Sequence, residues 1–216
     1  MHANAIEAYK RTLRLTSEQR EVIVGKILGD GHLETQNRGR TFRMKIEHGI
    51  AQSAYVEWLY KLFRPWALSP PGVKVQMRAG KVNRKSWFQT VSHPAFRFYG
   101  QQFYRDGKKV VPKMVGRLLT PRTLAVWFMD DGSVKSNAHR ALLLNTQGFD
   151  PQSLERLQRA LEQRFMIVTK LRHQREGNQL QISSPDGERF ATLIAPYVIP
   201  SLRYKFGRLR NTMPKR

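Results

Sequence analysis

An apolar helical run that stops on an acid and a glycine occurs twice in this chain. The first is Ile23-Val24-Gly25-Lys26-Ile27-Leu28-Gly29-Asp30-Gly31, the second Leu124-Ala125-Val126-Trp127-Phe128-Met129-Asp130-Asp131-Gly132. Each run has a start signal. Thr16 and Gln19 have capping-box spacing, and Thr120-Pro121 reads as an N-cap with proline at the first helical position. Asp30 and Asp131 stand roughly 100 positions apart, so each half of the chain carries one. A repeat that long is a duplicated subdomain rather than a solenoid unit. The spacing predicts a pseudo-twofold α+β protein with a carboxylate pair at its centre, divided into residues 1–112 and 113–216.

The segments between the motifs support the repeat. Residues 1–15 read as a short helix or arm. Thr41–His48 alternates, with Phe42, Met44 and Ile46 on one face and Arg43, Lys45 and Glu47 on the other. A helix from about Ser53 to Phe63 follows, and Leu68-Ser69-Pro70-Pro71 breaks it. Val73–Met77 alternates again, placing Lys74, Gln76 and Arg78 together; a further strand over 86–92 and an aromatic helix after Pro94 complete the half. The second half repeats this order. Arg140–Gln147 reads as a strand, Asp150-Pro151 opens an amphipathic helix, and Lys170, Arg172 and Gln174 share a strand face. Gln179, Gln181 and Ser183 alternate with Leu180 and Ile182 before a last helix near Pro185.

Such halves make antiparallel sheets with helices on one face and a polar face left open. The net charge decides what that face meets. Lys and Arg number 38 against 16 acids, a formal charge of +22, which favours a polyanion and nucleic acid first. Arg, Lys, Gln and Thr at alternate positions match the donors and acceptors on base edges. An ordinary solvated face has the same pattern, and the charge tips the balance. No long apolar span or signal segment supports a membrane partner. The 40% apolar and 10% aromatic content excludes a disordered basic tail. With no cysteine, disulfides and thiolate metal sites are excluded, and the six histidines lack zinc-site spacing. This usage fits an intracellular protein, with bacterial cytoplasm and organelle both open.

A single Asp-Gly after a helix is a common C-terminal turn. Two of them, one per half and each after an apolar helix, point to a shared role. Carboxylate oxygens suit Mg²⁺, which binds through one or two protein acids and substrate phosphate. Paired ions can activate water and stabilise the leaving oxygen of a phosphodiester.

These residues resemble the LAGLIDADG homing endonucleases, in particular the single-chain, two-motif type encoded in group I introns, of the omega-intron kind. The resemblance covers most of the chain. Beyond the motifs it includes Leu68-Ser69-Pro70-Pro71, Leu119-Thr120-Pro121, Leu144-Asn145-Thr146-Gln147, Pro196-Tyr197, Ile199-Pro200 and Tyr204-Lys205. It implies two αββαββα subdomains with saddle-shaped antiparallel sheets over DNA. It implies motif helices packed closely through Gly25, Gly29 and Ala125.

The resemblance further implies that Asp30 and Asp131 bind divalent metal, Mg²⁺ with Mn²⁺ or Ca²⁺ able to occupy the same sites. The carbonyls of Gly29 and Asp130 would assist, and Lys109 and Lys205 would stand near the scissile phosphates. Lys109 precedes its proline and Lys205 follows one, so they are not strict mates. Glu47 and Gln147 fall where water ligands are held. DNA contacts are expected from Arg43, Lys45, Glu47, Lys74, Gln76, Arg78, Arg140, Gln147, Lys170, Arg172, Gln174 and Gln181.

Two positions depart from the family pattern. Val126 replaces the middle glycine. Lys26 takes a place usually apolar; it pairs with Asp30 four residues on or faces solvent, and if it enters the helix interface instead, close packing there is in doubt. The implied activity is a monomeric, metal-dependent endonuclease that breaks both strands of a long, asymmetric DNA target. The alternatives are an RNA-binding intron maturase on the same fold, and a DNA-binding protein without cleavage.

Overall fold

The computed structural model describes residues 3–78, 80–135 and 140–212; the side chain of Arg78 lies outside the described residues. The chain forms two compact units. One contains the residues up to Arg20 together with Asp30–Gln101, the other Glu21–Gly29 together with Gln102 onward. The packing therefore divides differently from the expected 112/113 repeat boundary: most of the first motif helix belongs to the second unit.

In the first unit, helix α1 (Ala3–Thr12) leads to the start of α2 (Ser17–Leu28). The capping box forms: the Gln19 amide donates to Thr16 Oγ1 at 3.1 Å, and the Thr16 amide donates to Gln19 Oε1 at 3.0 Å. Strands β1 (His32–Glu34), β2 (Arg43–Gly49), β3 (Gly72–Arg78) and β4 (Lys81–Gln89) make an antiparallel sheet in the order β1-β2-β4-β3. Helix α3 (Ser53–Phe63) covers one face. The period-2 pattern sets which face that is: Phe42, Met44 and Ile46 are buried, as are Val56, Leu59 and Phe63 of the helix. Helix α4 (Arg97–Phe103) follows, behind a 3₁₀ turn at Pro94–Phe96.

Beyond its share of α2, the second unit contains the ribbon β5 (Tyr104–Arg105) and β6 (Lys108–Lys109), then the short helix α5 (Val115–Leu118). Motif helix α6 (Pro121–Asp131) starts as its sequence dictates, with Thr120 accepting from the Thr123 amide and Pro121 in the first turn. Strands β7 (Gly132–Val134), β8 (Leu142–Leu144), β9 (Thr169–Gln174) and β10 (Gly177–Ile182) pair antiparallel in the order β7-β8-β10-β9. Helix α7 (Pro151–Phe165), capped by Asp150 on the Ser153 amide, buries Leu154, Leu157 and Leu161. Helix α8 (Asp186–Ile194) and a kinked 3₁₀ segment, Pro200–Thr212, end the described chain.

From α2 to α4 and from α6 to α8 the order is the same, αββαββα, and the two sheets share one strand order. One expectation changes. The strand read over Arg140–Gln147 is only Leu142–Leu144, all three buried, because Arg140 turns away to pair with Glu188 and Gln147 lies in the turn beyond. Among the described residues no helix is long and apolar enough to cross a membrane.

Candidate active site

The second unit brings the two motif helices together. Every residue of α6 from Thr123 to Asp130 is buried, and α2 buries Val22, Ile23, Val24, Ile27 and Leu28. A helix surrounded on all sides has no polar face, which is why both runs are apolar without an amphipathic period. The approach is close enough to require glycine. A Cβ on Gly25 would lie 2.6 Å from the Thr123 carbonyl oxygen and 2.7 Å from Val126 Cβ; one on Gly29 would lie 2.5 Å from Asp130 Cβ. The departure at Val126 is thus accommodated by the glycine opposite it.

Lys26 does not face solvent but enters the helix interface, where close packing was in doubt and is nevertheless found. Its Nζ donates to Asp130 Oδ1 at 2.7 Å, and both side chains are wholly buried. A buried ammonium is tolerated only with an opposite charge at hydrogen-bond range, and Asp130 supplies it. Asp130 spans the helix pair in turn, with its Cβ over Gly29 and its carboxylate on Lys26.

Both motif helices carry a carboxylate at their C-terminal end, where unpaired carbonyls already make the potential negative. Cations converge there. Lys109 Nζ donates to the Gly29 carbonyl at 2.5 Å. Lys205 Nζ donates to the carbonyls of Met129 at 2.6 Å and Asp130 at 2.7 Å. Two lysines with unlike local sequences therefore perform one task, each on one motif helix. Both carbonyls expected to assist a metal receive a lysine, though a carbonyl oxygen has a second lone pair. Asp131 ends α6 half-buried, its carbonyl accepting from the Asn145 amide at 3.1 Å.

In the first unit Asp30 follows α2 with its side chain half exposed, and His48 Nδ1 lies 3.8 Å from its Oδ2. An open cleft of about 500 Å³ surrounds them, lined also by His32, Glu34, Lys45, Glu47 and Lys85. The outward face of the sheet is laced by ion pairs. Glu34 takes Arg43 at 2.9 Å and Lys45 at 3.4 Å, while Glu47 takes Lys85 at 2.8 Å and Lys74 at 3.0 Å. The Lys85 hydrogen bond holds the Glu47 carboxyl below its usual value, against the opposing effect of burial and with help from Lys74. Burial pushes Glu34 up, but Arg43 and Lys45 outweigh it and leave it lowered. Lys74 also sits 4.2 Å over the Trp87 ring. Sequence alternation found Arg43, Lys45, Glu47 and Lys74; it missed Lys85, Glu34 and His48. Gln76 is exposed on β3.

On the second sheet, Arg172 donates to Gln179 Oε1 at 3.3 Å, and Gln179 donates to Asn145 Oδ1 at 2.6 Å. Lys170 and Gln181 face each other across β9 and β10, with Gln181 bonded to Ser183. Gln174 is bonded to the His173 carbonyl. Arg140 does not join this row. Register also identifies counterparts between the sheets. His32 pairs with Lys45, so Asp30 and Gly31 extend toward Glu47 and Ile46; Gly132 pairs with Leu144, so Asp131 extends to Asn145. Asn145 is thus the counterpart of Glu47, and Thr146 of His48.

The donor set suits a hard or borderline divalent cation: carboxylate and carbonyl oxygens at Asp30 and Asp131, with an imidazole beside the first.

The chain belongs to the LAGLIDADG DNA endonuclease family, whose model matches residues 20–190. It is 32% identical over 213 residues to probable intron-encoded endonuclease 1 of Wickerhamomyces canadensis, covering 94% of this chain and 90% of that one. Its structure is similar to that of the homing endonuclease I-WcaI bound to its DNA recognition sequence, with a TM-score of 0.90 and 29% identity over 95% and 94% of the two chains. It is also 27% identical over 199 residues to cytochrome b mRNA maturase bI2 of Debaryomyces hansenii, covering 89% and 75%.

Proposed function

We propose that this chain is a site-specific homing endonuclease that makes a double-strand break in a long, asymmetric DNA target by metal-assisted phosphodiester hydrolysis. The observation that carries this is a lysine ammonium on the last carbonyls of each motif helix, next in sequence to that helix's terminal acid. Carboxylates at negative helix ends are unfavourable unless cations gather there. Lys109 and Lys205 supply one cation each, and Asp30 and Asp131 would each hold another.

A divalent ion held by Asp30 and Asp131 would lower the pKa of water and polarise the phosphate. The chain's own residues do the rest. Asp30 and Asp131 each position the chemistry for one strand, with the carbonyls of Gly29 and Asp130 beside them. Lys109 and Lys205 lie within reach of negative charge developing on phosphate oxygens. Arg43, Lys45, Glu47, Lys74, Gln76 and Arg78 contact DNA from one sheet, and Lys170, Arg172, Gln174 and Gln181 from the other, with Arg140 and Gln147 at its margin. Glu47 would order water near Asp30; Gln147, expected to do so in the second half, lies in the turn beyond Asn145, which holds the matching position. The sequence repeats, as distinct from the packing units, run over 1–112 and 113–216. Because they differ in sequence, a monomer reads a target without dyad symmetry.

The test is a cleavage selection from a randomised duplex library with Mg²⁺. One recovered family of long, non-palindromic sites supports the proposal; recovery of none overturns it. Similarity to a maturase favours a second reading, in which the same basic surface binds intron RNA. A splicing assay with Asp131→Asn separates the two, since splicing survives loss of the acid and cleavage does not.

A further inference from the structure

We infer that His48 is a nitrogen ligand in the cation site of Asp30, so that this site binds a borderline transition metal such as Co²⁺ more tightly than Mg²⁺, with Mn²⁺ as a paramagnetic probe of the same donors. The inference rests on the proposal that Asp30 holds a divalent ion, and it makes the two motif acids chemically unequal.

His48 occupies the inward parity of β2, in line with Met44 and Ile46, and its side chain is only 3% exposed. The Tyr55 ring, centred 5.0 Å from the imidazole, limits how the ring can turn. Nδ1 stands 3.8 Å from Asp30 Oδ2. That is too long for a hydrogen bond. It fits two donors on one ion, which lie roughly 3–4 Å apart when each is about 2.1 Å from the metal. The neighbouring acid, Glu47, is committed to Lys74 and Lys85. Asp30 Oδ2 and His48 Nδ1 are two ligand atoms of the cleft that stand within reach of one cation. Imidazole nitrogen suits Fe²⁺, Ni²⁺ and Zn²⁺ and, between them in the same affinity order, Co²⁺, whereas Mg²⁺ takes oxygen; Mn²⁺, lowest in that order, serves as the paramagnetic probe. At the register counterpart, Thr146 is buried and its hydroxyl donates to the Asn178 carbonyl at 2.8 Å. The matching position on the Asp131 side thus carries a hydroxyl where the Asp30 side carries an imidazole.

The experiment is Mn²⁺ titration of the full chain on its selected duplex, read by electron paramagnetic resonance with spin-echo modulation for coupled nitrogen. Wild type shows imidazole nitrogen coupling. His32→Gln, changed in the same cleft, keeps it. His48→Gln loses it and weakens the Mn²⁺ site at least about tenfold, with the Mg²⁺ affinity little changed and the circular dichroism melt retained. Should His48→Gln not fold, the wild-type and His32→Gln spectra still decide. Bound Mn²⁺ without nitrogen coupling overturns the His48 assignment and leaves the metal-dependent nuclease intact; no bound Mn²⁺ at all overturns both.

Discussion

Lys26 and Asp130, 104 positions apart, meet as a wholly buried ion pair at 2.7 Å between the two motif helices. Such pairs rarely stabilise a fold relative to apolar residues of the same shape, but removing one partner strands a charge. Lys26→Met is expected to cost about 3–5 kcal/mol in urea unfolding. Lys26→Met with Asp130→Asn removes both charges and recovers a large part of the loss. Additive effects in that cycle would mean that the pair is not coupled.

The same interface predicts a steric cost. Gly25→Ala places a methyl 2.6 Å from the Thr123 carbonyl and 2.7 Å from Val126 Cβ. Overpacking of this kind costs about 1–3 kcal/mol. Adding Val126→Ala recovers only part of it, since the backbone carbonyl cannot retreat as a side chain can. Thermal melts of the two variants and the wild type check the order wild type, double variant, Gly25→Ala.

Much of this frame is legible in the sequence because its signals are local. Thr16 with Gln19, Thr120 with Pro121 and Asp150 with Ser153 each mark a helix start within four residues. Alternation from Phe42 to Ile46 gives the buried face of β2. What escapes is what depends on distant contacts. Lys26 has Asp30 one turn away, and nothing local reveals that it prefers Asp130. His48 follows the core parity of its strand, so alternation hides its approach to Asp30. Lys109 and Lys205 sit in unlike local sequences, and only the fold places both on motif-helix carbonyls. The strand at 140–147 shrinks to three leucines because Arg140 finds Glu188.

Glu47 gives a pH prediction. Its carboxyl is lowered in the folded state, chiefly by Lys85 against burial, with Lys74 adding to it. A depressed acid contributes stability that is present above its unfolded value, about 4.5, and is lost as pH falls through the folded value. The stability advantage of wild type over Glu47→Gln should thus be present at neutral pH and vanish in strong acid. An advantage that persists in acid would contradict the ion-pair assignment.

The same substitution bears on DNA. Glu47→Gln releases Lys74 and Lys85 from their carboxylate, leaving two more cations for phosphate. Binding is expected to tighten at low salt, and the slope of log K against log salt to steepen by about one to two. An unchanged slope would place both lysines away from the duplex.

The lysines at the helix ends are testable apart from the acids. Lys205→Met removes donors to the Met129 and Asp130 carbonyls. Single-turnover cleavage of one strand is expected to fall by a factor of about 100 or more, with duplex affinity within a few-fold of wild type. Equal slowing of both strands would argue against one lysine serving one helix end.

The most direct measurement is strand-resolved cleavage by Asp131→Asn on a selected target with Mg²⁺, alongside binding of the same duplex. The account predicts specific binding close to wild type and no double-strand break. Full double-strand cleavage by this variant would contradict it.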